Sequence, residues 1–232
     1  MYLTPWSVDP VKILTRRELA LILNNLSLRA SSSRQAKMNL TIIRLACCTG
    51  LRVSEIAALQ LDDVRVDSGR PHLRVRPEGA KGGRARIVPL WWDAGTLDDL
   101  KEWKKERLAQ KARSTDPFIC CLWPSRFGER LIRHTIRERF RTACKVLGLE
   151  RLRVLTIHHG RHTFVSHALA GGRSLAEVKA AAGHTSLVTT SVYLHIAVDD
   201  DATPGRLFAT KISTRKHFRS VKPKRTMTAT QV

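Results

Sequence analysis

Apolar residues recur at helical spacing along most of this chain and predict a mainly α-helical protein. Thr15-Arg16-Arg17-Glu18 has the pattern of a capping box and predicts a helix that extends to about Leu26. The polar stretch RASSSRQAK predicts a loop, and from Met38 the apolar positions again follow a spacing of three to four residues. Further helices are predicted over RVSEIAALQ, TLDDLKEWKKERLAQ, LIRHTIRERFRTACKVLGL, HHGRHTFVSHALAGG, SLAEVKAAAG and SLVTTSVYLHI.

One block of the chain changes from the helical period to a period of two. HLRVR alternates apolar and basic residues, PEGAKGG has turn chemistry, and RARIVPL alternates again, which is typical of a β-hairpin. The segment FICCLWP predicts a short strand or an extended buried stretch. The predicted fold class is therefore mainly α with a small antiparallel β-sheet (α+β).

The charge of the chain narrows the class of partner. Its 232 residues hold 41 Lys plus Arg against 20 Asp plus Glu, a formal net charge of +21. A hydrophobic content of 43% excludes a disordered polybasic protein. Self-repulsion at this charge disfavours a compact chain, so we expect a polyanionic partner, nucleic acid first and a membrane surface second.

The composition also predicts how the chain is organised. Residues 1–11 are a lead-in, residues 12–200 a single domain, and residues 201–232 a basic, flexible tail with no acidic residue after position 202. No run approaches the ~18 apolar residues that a membrane span needs. No leader sequence opens the chain, and five cysteines form no zinc-ligand pattern, so we expect reduced thiols, no metal and a cytoplasmic location.

Several basic residues and one tyrosine occupy positions that charge alone does not explain. One arginine follows Thr-Gly-Leu where a helix begins, a lysine lies at the predicted hairpin tip, and a histidine and an arginine share a helix face three residues apart. A second histidine follows a helix-ending glycine, nine residues before a tyrosine. In chain order they are Arg52, Lys81, His158, Arg161, His184 and Tyr193.

Together these groups are suited to attack on a phosphodiester. Two guanidiniums hold non-bridging phosphate oxygens and favour the charge that develops during phosphoryl transfer. A histidine accepts the proton of a nucleophile, and a lysine donates one to a leaving hydroxyl. A phenol is a poor nucleophile until a base and nearby cations favour its phenoxide. The set needs no metal for this chemistry.

The motifs resemble those of the tyrosine recombinases, which include phage integrases and Xer-type site-specific recombinases. TGLRVSEIAAL resembles the first arginine box, with Glu55 in its acidic position. KGGRARIVPL resembles the hairpin box, HHGRHTFVSHALAGG the His-x-x-Arg box and AAGHTSLVTTSVYLHI the final box. The resemblance covers roughly residues 12–197 and implies a tyrosine-recombinase-type catalytic domain.

The resemblance also implies a function for each of these residues. Tyr193 attacks the scissile phosphate and forms a 3′-phosphotyrosyl link, while Arg52, Arg161 and His184 stabilise the transition state. His158 assists proton transfer, Lys81 protonates the leaving 5′-oxygen, and Glu55 supports the arginine box. The implied partner is double-stranded DNA, bound by a tetramer on two paired sites, with no cofactor. Residues expected to contact DNA outside the centre are Arg84, Arg86, Arg133, Arg137 and Arg141.

The chain departs from the family pattern at two points. The catalytic-type region begins almost immediately, so we expect no amino-terminal core-binding domain in these residues. Gly160 stands where leucine is commoner, and a glycine within a helix costs roughly 1 kcal/mol against alanine, which predicts a slightly looser helix.

Alternative interpretations remain at several positions. His159 competes with His158, and Arg84 and Arg86 compete with Lys81. His158 and His162 have the i,i+4 spacing of zinc-binding helices, but the usual glutamate is missing, and His162 is expected to pack or to face DNA. For the whole chain the alternatives are a type IB topoisomerase-like activity and a DNA-binding accessory protein with an idle site.

Overall fold

The computed structural model describes residues 8–79 and 83–194. Helices dominate these residues, and one small sheet accompanies them, so the predicted mainly α fold with a small antiparallel sheet is confirmed. The helices are α1 (Arg16–Ala30), α2 (Arg34–Ile43), α3 (Val53–Ala58), α4 (Ala94–Ala109), α5 (Arg133–Ala143), α6 (Leu149–Val154), α7 (Ile157–Ala170), α8 (Leu175–Ala182) and α9 (Val188–Ser191).

The capping box predicted at the first helix is present. Thr15 accepts a hydrogen bond from the backbone N–H of Glu18, and the Glu18 carboxylate accepts one from the N–H of Thr15. The helix continues to Ala30, beyond the predicted end at Leu26, and α2 begins after a short turn. Most of the polar stretch that was predicted as a loop is therefore helical. Its first residues end α1 and its last residues begin α2, and these two helices pack side by side.

The sheet contains the predicted hairpin and one more strand. Strands β1 (Val64–Arg65), β2 (His72–Val75) and β3 (Arg86–Pro89) are antiparallel in that order. Leu73 pairs with both Val64 and Val88, and all three side chains are buried on the core face. The two residues of β1 are too few to show the alternation by which a strand is predicted.

Helix α7 occupies the centre of the fold. Phe164, Val165 and Ala168 are fully buried, and the helix packs against a π-helical turn, Arg44–Cys48, that continues α2. A Cβ on Gly160 would lie 3.0 Å from the Cβ of Ala46 in that turn. Gly160 therefore permits close contact between α7 and this turn. The expectation of a looser helix considered only the low helix propensity of glycine and not this packing.

Two findings concern the described residues as a set. None of their helices has the length and apolarity needed to cross a membrane. Nor do any three of their His, Cys, Asp and Glu side chains group as ligands for a metal ion. The predicted tail at 201–232 lies outside the described residues, and the predicted domain boundaries stay predictions.

Candidate active site

Four segments that are distant in sequence supply the predicted site. Arg52 lies directly before α3, and Arg161 lies in the first half of α7. Helix α8 ends at Gly183, whose φ of +67° is in the left-handed region that glycine adopts readily, and His184 follows it. Tyr193 comes two residues after α9. Arg52, His184 and Tyr193 thus lie next to helix ends, and Arg161 lies within α7.

A buried carboxylate organises the first arginine. Glu55 is 1% exposed and accepts hydrogen bonds from the backbone N–H of Arg52 at 2.7 Å and from its guanidinium at 3.1 Å. Burial would raise the pKa of Glu55, but the hydrogen bonds and charge of Arg86, followed by those of Arg52, lower it overall. Glu55 is therefore an ionised anchor, in line with the supporting position expected for it.

Arg86 pairs with the same buried carboxylate. Its guanidinium donates to both carboxylate oxygens of Glu55, at 2.7 and 2.8 Å, and to the carbonyl of Ala181 at 2.9 Å. Its side chain is only 9% exposed, because the buried Glu55 carboxylate requires a buried counter-charge. Arg86 thereby joins strand β3, helix α3 and the end of α8. Contact of Arg86 with DNA stays a prediction.

Arg161 carries a charge that no carboxylate balances. Its Nη1 donates to the carbonyl of Gly50 at 2.9 Å, whereas Nη2 is buried and makes no hydrogen bond among the described residues. Burial and, after it, the charge of Arg52 lower the pKa of Arg161 to about 9, against a smaller opposing effect of Glu55. A buried guanidinium with a free N–H edge is a binding group for an anion.

His184 is placed beside the two arginines as a neutral imidazole. Its Nδ1 lies 2.8 Å from the hydroxyl of Thr190, and Nε2 makes no hydrogen bond among the described residues. Burial, together with the charges of Arg161 and Arg52, lowers the pKa of His184 to about 4. Near neutral pH the side chain can therefore share a proton or donate a hydrogen bond without adding a further resident charge.

Tyr193 is buried and contacts a histidine that was not among the predicted site residues. Its residue is 6% exposed, and its hydroxyl lies 2.6 Å from Nδ1 of His162, with the two rings stacked at 5.8 Å between centroids. Burial raises the pKa of Tyr193, against the charge of Arg161, which lowers it. The sequence signal considered for His162 was its i,i+4 spacing from His158, and His162 was expected to pack or to face DNA.

His158 does not contact the phenol in the described part of the chain. His158 is exposed in the first turn of α7 and makes no hydrogen bond within the described part of the chain. Its neighbour His159 accepts the N–H of Thr156 at the start of the helix. Lys81 lies outside the described residues.

An open groove of about 450 Å³ lies next to the site. Among the described residues its lining includes no acidic side chain, and His184 and apolar side chains of α8 form part of its wall. Its basic residues are Arg52, Arg84, Arg86 and Lys179. The groove therefore has the charge and opening that a phosphate backbone requires.

Helix α5 presents three of the predicted DNA-contacting arginines on one exposed face. Arg133, Arg137 and Arg141 follow a spacing of four residues and are exposed, while Ile136 and Phe140 of the same helix are buried. The guanidinium of Arg141 also donates to the carbonyl of Leu152 at 3.1 Å, so it helps to hold α6. Contact of these arginines with DNA stays a prediction.

Comparisons with known proteins identify the family of this chain. Residues 12–199 match the model of the phage integrase family. A tyrosine recombinase XerC from Roseiflexus sp. (strain RS-1) is 35% identical over 165 residues, which are 71% of this chain and 50% of that protein. A tyrosine recombinase XerC from Roseiflexus castenholzii (strain DSM 13941 / HLO8) is 32% identical over 84% of this chain and 59% of its own length.

Solved structures extend the comparison to the fold. The XerH site-specific recombinase bound to its difH substrate, in a pre-cleavage complex, matches with a TM-score of 0.63 and 25% identity over 86% of this chain and 53% of that one. The XerA recombinase matches with a TM-score of 0.64 at 22% identity, over 87% and 62%. This chain thus spans about half to three fifths of the length of these relatives, and it belongs to the phage integrase family, with a Xer-like tyrosine-recombinase catalytic domain.

Proposed function

We propose that this chain is the catalytic part of a site-specific DNA recombinase that cuts and rejoins strands through Tyr193. The observation that carries the proposal is the position of a buried phenol beside Arg161, whose guanidinium has a free edge and no carboxylate partner. The tyrosine recombinases that this chain resembles have names that state the same class of activity.

The cleavage step follows from the charges around the phenol. Tyr193 attacks the phosphorus of a DNA strand, forming a 3′-phosphotyrosyl bond and releasing a 5′-hydroxyl. Arg52 and Arg161 hold the non-bridging oxygens, and His184 donates a hydrogen bond to them as charge develops. These groups are held in place before substrate binds, since Glu55, Gly50 and Thr190 fix them, so little reorganisation opposes the reaction.

Protonation of the leaving group completes the step. Lys81 is the proposed proton donor to the 5′-oxygen, and His158 assists proton transfer at the exposed edge of the site. The covalent link keeps the free energy of the phosphodiester, so a 5′-hydroxyl from a partner strand can restore the bond by the reverse reaction. This cycle requires neither ATP nor a metal ion in its chemistry.

The proposed partner is double-stranded DNA. The acid-free groove at Arg52 and Lys179 and the net charge of +21 support it, as does the DNA-bound XerH structure that this fold matches. Strand exchange between two sites requires more than one active centre, so we propose a tetramer on paired sites. The chain spans about half the length of a XerC relative, so the tetramer is proposed for the complete recombinase.

A covalent trap tests the proposal. The protein is incubated with nicked duplexes of random sequence and with duplexes from the DNA that flanks its gene, so that the cut end diffuses away and the adduct accumulates. We expect adducts that mass spectrometry maps to Tyr193 and that the Tyr193→Phe variant does not form. Tyr2→Phe, which removes the one other tyrosine of the chain, is the matched control and should form them normally.

Each other outcome points to a different function. Salt-sensitive DNA binding without any adduct would identify an accessory protein with an idle site. Adducts that religate only to their own strand and relax supercoils would identify a topoisomerase-like cycle. Adducts with the Tyr193→Phe variant would show that another side chain is the nucleophile.

A further inference from the structure

The contact between Tyr193 and His162 takes part neither in phosphate binding nor in protonation of the leaving group. Nδ1 of His162 lies 2.6 Å from the phenol oxygen, and the two rings are stacked with an interplanar angle of 29°. His162 is held on α7, immediately after Arg161, so both reach the phenol from one helix. This hydrogen bond therefore involves the phenol oxygen, which is the atom that attacks DNA in the proposed function.

We infer that His162 is a catalytic residue that accepts the proton of Tyr193 as the phenol attacks DNA. The inference rests on the proposed function, since it concerns the same cleavage step. It assigns the nucleophile's proton to His162, and it leaves His158 to act at the exposed edge.

In the cleavage step, the O–H bond of Tyr193 breaks and its proton moves to the Nδ1 lone pair of His162, which becomes imidazolium with its other proton on Nε2. The phenolic oxygen forms its bond to phosphorus, and the bond from phosphorus to the 5′-oxygen breaks, with the proton for that oxygen coming from Lys81 as proposed. When a 5′-hydroxyl attacks the phosphotyrosine, its proton returns to the Lys81 amine, and the phenolate leaves and takes its own proton back from His162.

The other two histidines of the site are less suited to this step. His184 uses Nδ1 for Thr190, and His158 is exposed and makes no hydrogen bond to Tyr193. His162 alone among the three contacts the phenol oxygen in the described part of the chain.

The surroundings of His162 keep its lone pair free until DNA is bound. Burial lowers its pKa to about 4, followed by the charges of His159, Lys12, His158 and Arg161, which lie on α7 and on the turn Pro10–Lys12. The imidazole is therefore neutral at neutral pH. A phosphate bound at Arg161 adds a negative charge nearby and raises the basicity of His162 when the substrate arrives.

Single-turnover cleavage of a duplex recovered from the covalent trap measures the effect. Asparagine keeps a polar side chain at position 162 but accepts no proton, so His162→Asn should lower the cleavage rate by roughly 10²–10⁴-fold, the range for loss of a general base. His72→Asn is the matched control, because His72 lies on strand β2 and its ring nitrogen pairs with the nearby carbonyl of Arg70. We expect its rate to stay within about threefold of the parent's, since no proton transfer is lost.

The acidity of the nucleophile separates proton transfer from packing. Replacing Tyr193 by a multiply fluorinated tyrosine makes the phenol ionise near neutral pH, so that it needs less help from a base. The defect of His162→Asn should then shrink to less than about tenfold, and the fall in rate at low pH should become shallower. A packing defect would be equally large with both nucleophiles.

Three results would overturn the inference. One is a His162→Asn rate equal to or above the parent's, which would show that His162 merely holds the phenol in a resting position. Another is a rate defect of His162→Asn that fluorination leaves unchanged, while its free energy of unfolding and its affinity for duplex DNA equal the parent's. The same two measurements are made on His162→Gln. If the parent itself forms no adduct with any duplex, the proposed function falls and the assignment of His162 falls with it.

Discussion

The arginines of the β-sheet and those of the active site lie in opposite electrostatic settings. In the sheet, Arg74 and Arg76 both donate to one oxygen of the buried Asp63, at 3.0 and 2.7 Å. In the site, Arg161 has no carboxylate within ion-pair distance among the described residues, and Glu55 serves both Arg52 and Arg86. The sheet thus neutralises its cations, while the site keeps an excess of positive charge.

This difference separates structural from functional arginines in a chain that contains many of both. Balanced pairs add stability and leave little attraction for a further anion. Unbalanced buried cations lower stability, because their desolvation is not compensated, and this free energy is recovered when a phosphate binds. The useful signal is therefore the missing carboxylate and not the arginine itself.

Arg107 shows that a missing carboxylate is not sufficient by itself. It is 1% exposed and has no acidic partner in the described part of the chain, yet its guanidinium donates to the carbonyl of Pro117 and the amide oxygen of Gln110 and lies 6.0 Å from the Phe127 ring centroid. Arg161, in contrast, lies close enough to Arg52 and His184 for the charges of the arginines to affect one another and the imidazole.

The largest expected effect is on activity, in the Arg161→Met variant. Cleavage of the trapped duplex should fall by roughly 10²–10³-fold, since a positioned charge in the transition state is lost. The free energy of unfolding should stay within about 1 kcal/mol of the parent's or rise, because an unbalanced buried charge is replaced by an apolar chain. Urea unfolding and single-turnover cleavage measure the two effects. A loss of stability above about 2 kcal/mol would contradict the comparison.

The next effect concerns the carboxylate that the site does possess. Glu55→Gln leaves the buried Arg86 without a counter-charge and should lower the free energy of unfolding by about 3 kcal/mol. In the double variant with Arg86→Met the loss should be smaller than the sum of the two single losses, because the pair is removed together. Strictly additive losses in urea unfolding would show that the two side chains are not coupled.

In the sheet, the corresponding change should affect stability without affecting cleavage. Asp63→Asn removes the charge that Arg74 and Arg76 share, and these side chains, 42% and 35% exposed, can return to water. We expect a loss of about 1–2 kcal/mol in unfolding free energy and a cleavage rate within about threefold of the parent's. The exposed neighbour in Asp62→Asn serves as control, with a loss below about 1 kcal/mol. A cleavage defect as large as that of Arg161→Met would remove the distinction between the two regions.

The smallest effect is the pH dependence of stability. His162 and His184 have a pKa of about 4 in the folded protein, against an ordinary value of 6.5. The unfolded chain therefore binds more protons as the pH falls from about 6.5 to about 4, and folding loses roughly 1 kcal/mol for each histidine after allowance for partial exposure. Urea midpoints measured at pH 7 and pH 5 should differ less in His184→Asn and His162→Asn, and the exposed His134→Asn should leave the difference unchanged.

Local spacing explains what could be predicted from the sequence. The capping box of Thr15 and Glu18 and the pair of Arg52 and Glu55 involve residues three apart, whose contact follows from helix geometry. The contacts of Arg86 with Glu55 and of His162 with Tyr193 each join residues 31 apart. No periodicity reports such a contact, so both were assigned to DNA or packing. Helix α6 was not predicted, because Leu152 is its one buried residue and a single position has no period.

The close contact between α7 and the segment before Arg52 has a consequence for how the site moves. A Cβ at Gly160 would crowd Ala46, and one at Gly50 would overlap the Phe164 ring. The segment that contains Ala46 and Gly50 is therefore in close contact with α7 at two points. Arg161 is bonded to the carbonyl of Gly50, two residues before Arg52. Thermal motion therefore carries the two guanidiniums together, and substitutions elsewhere in the core can change side-chain volumes without altering the gap in which a phosphate fits.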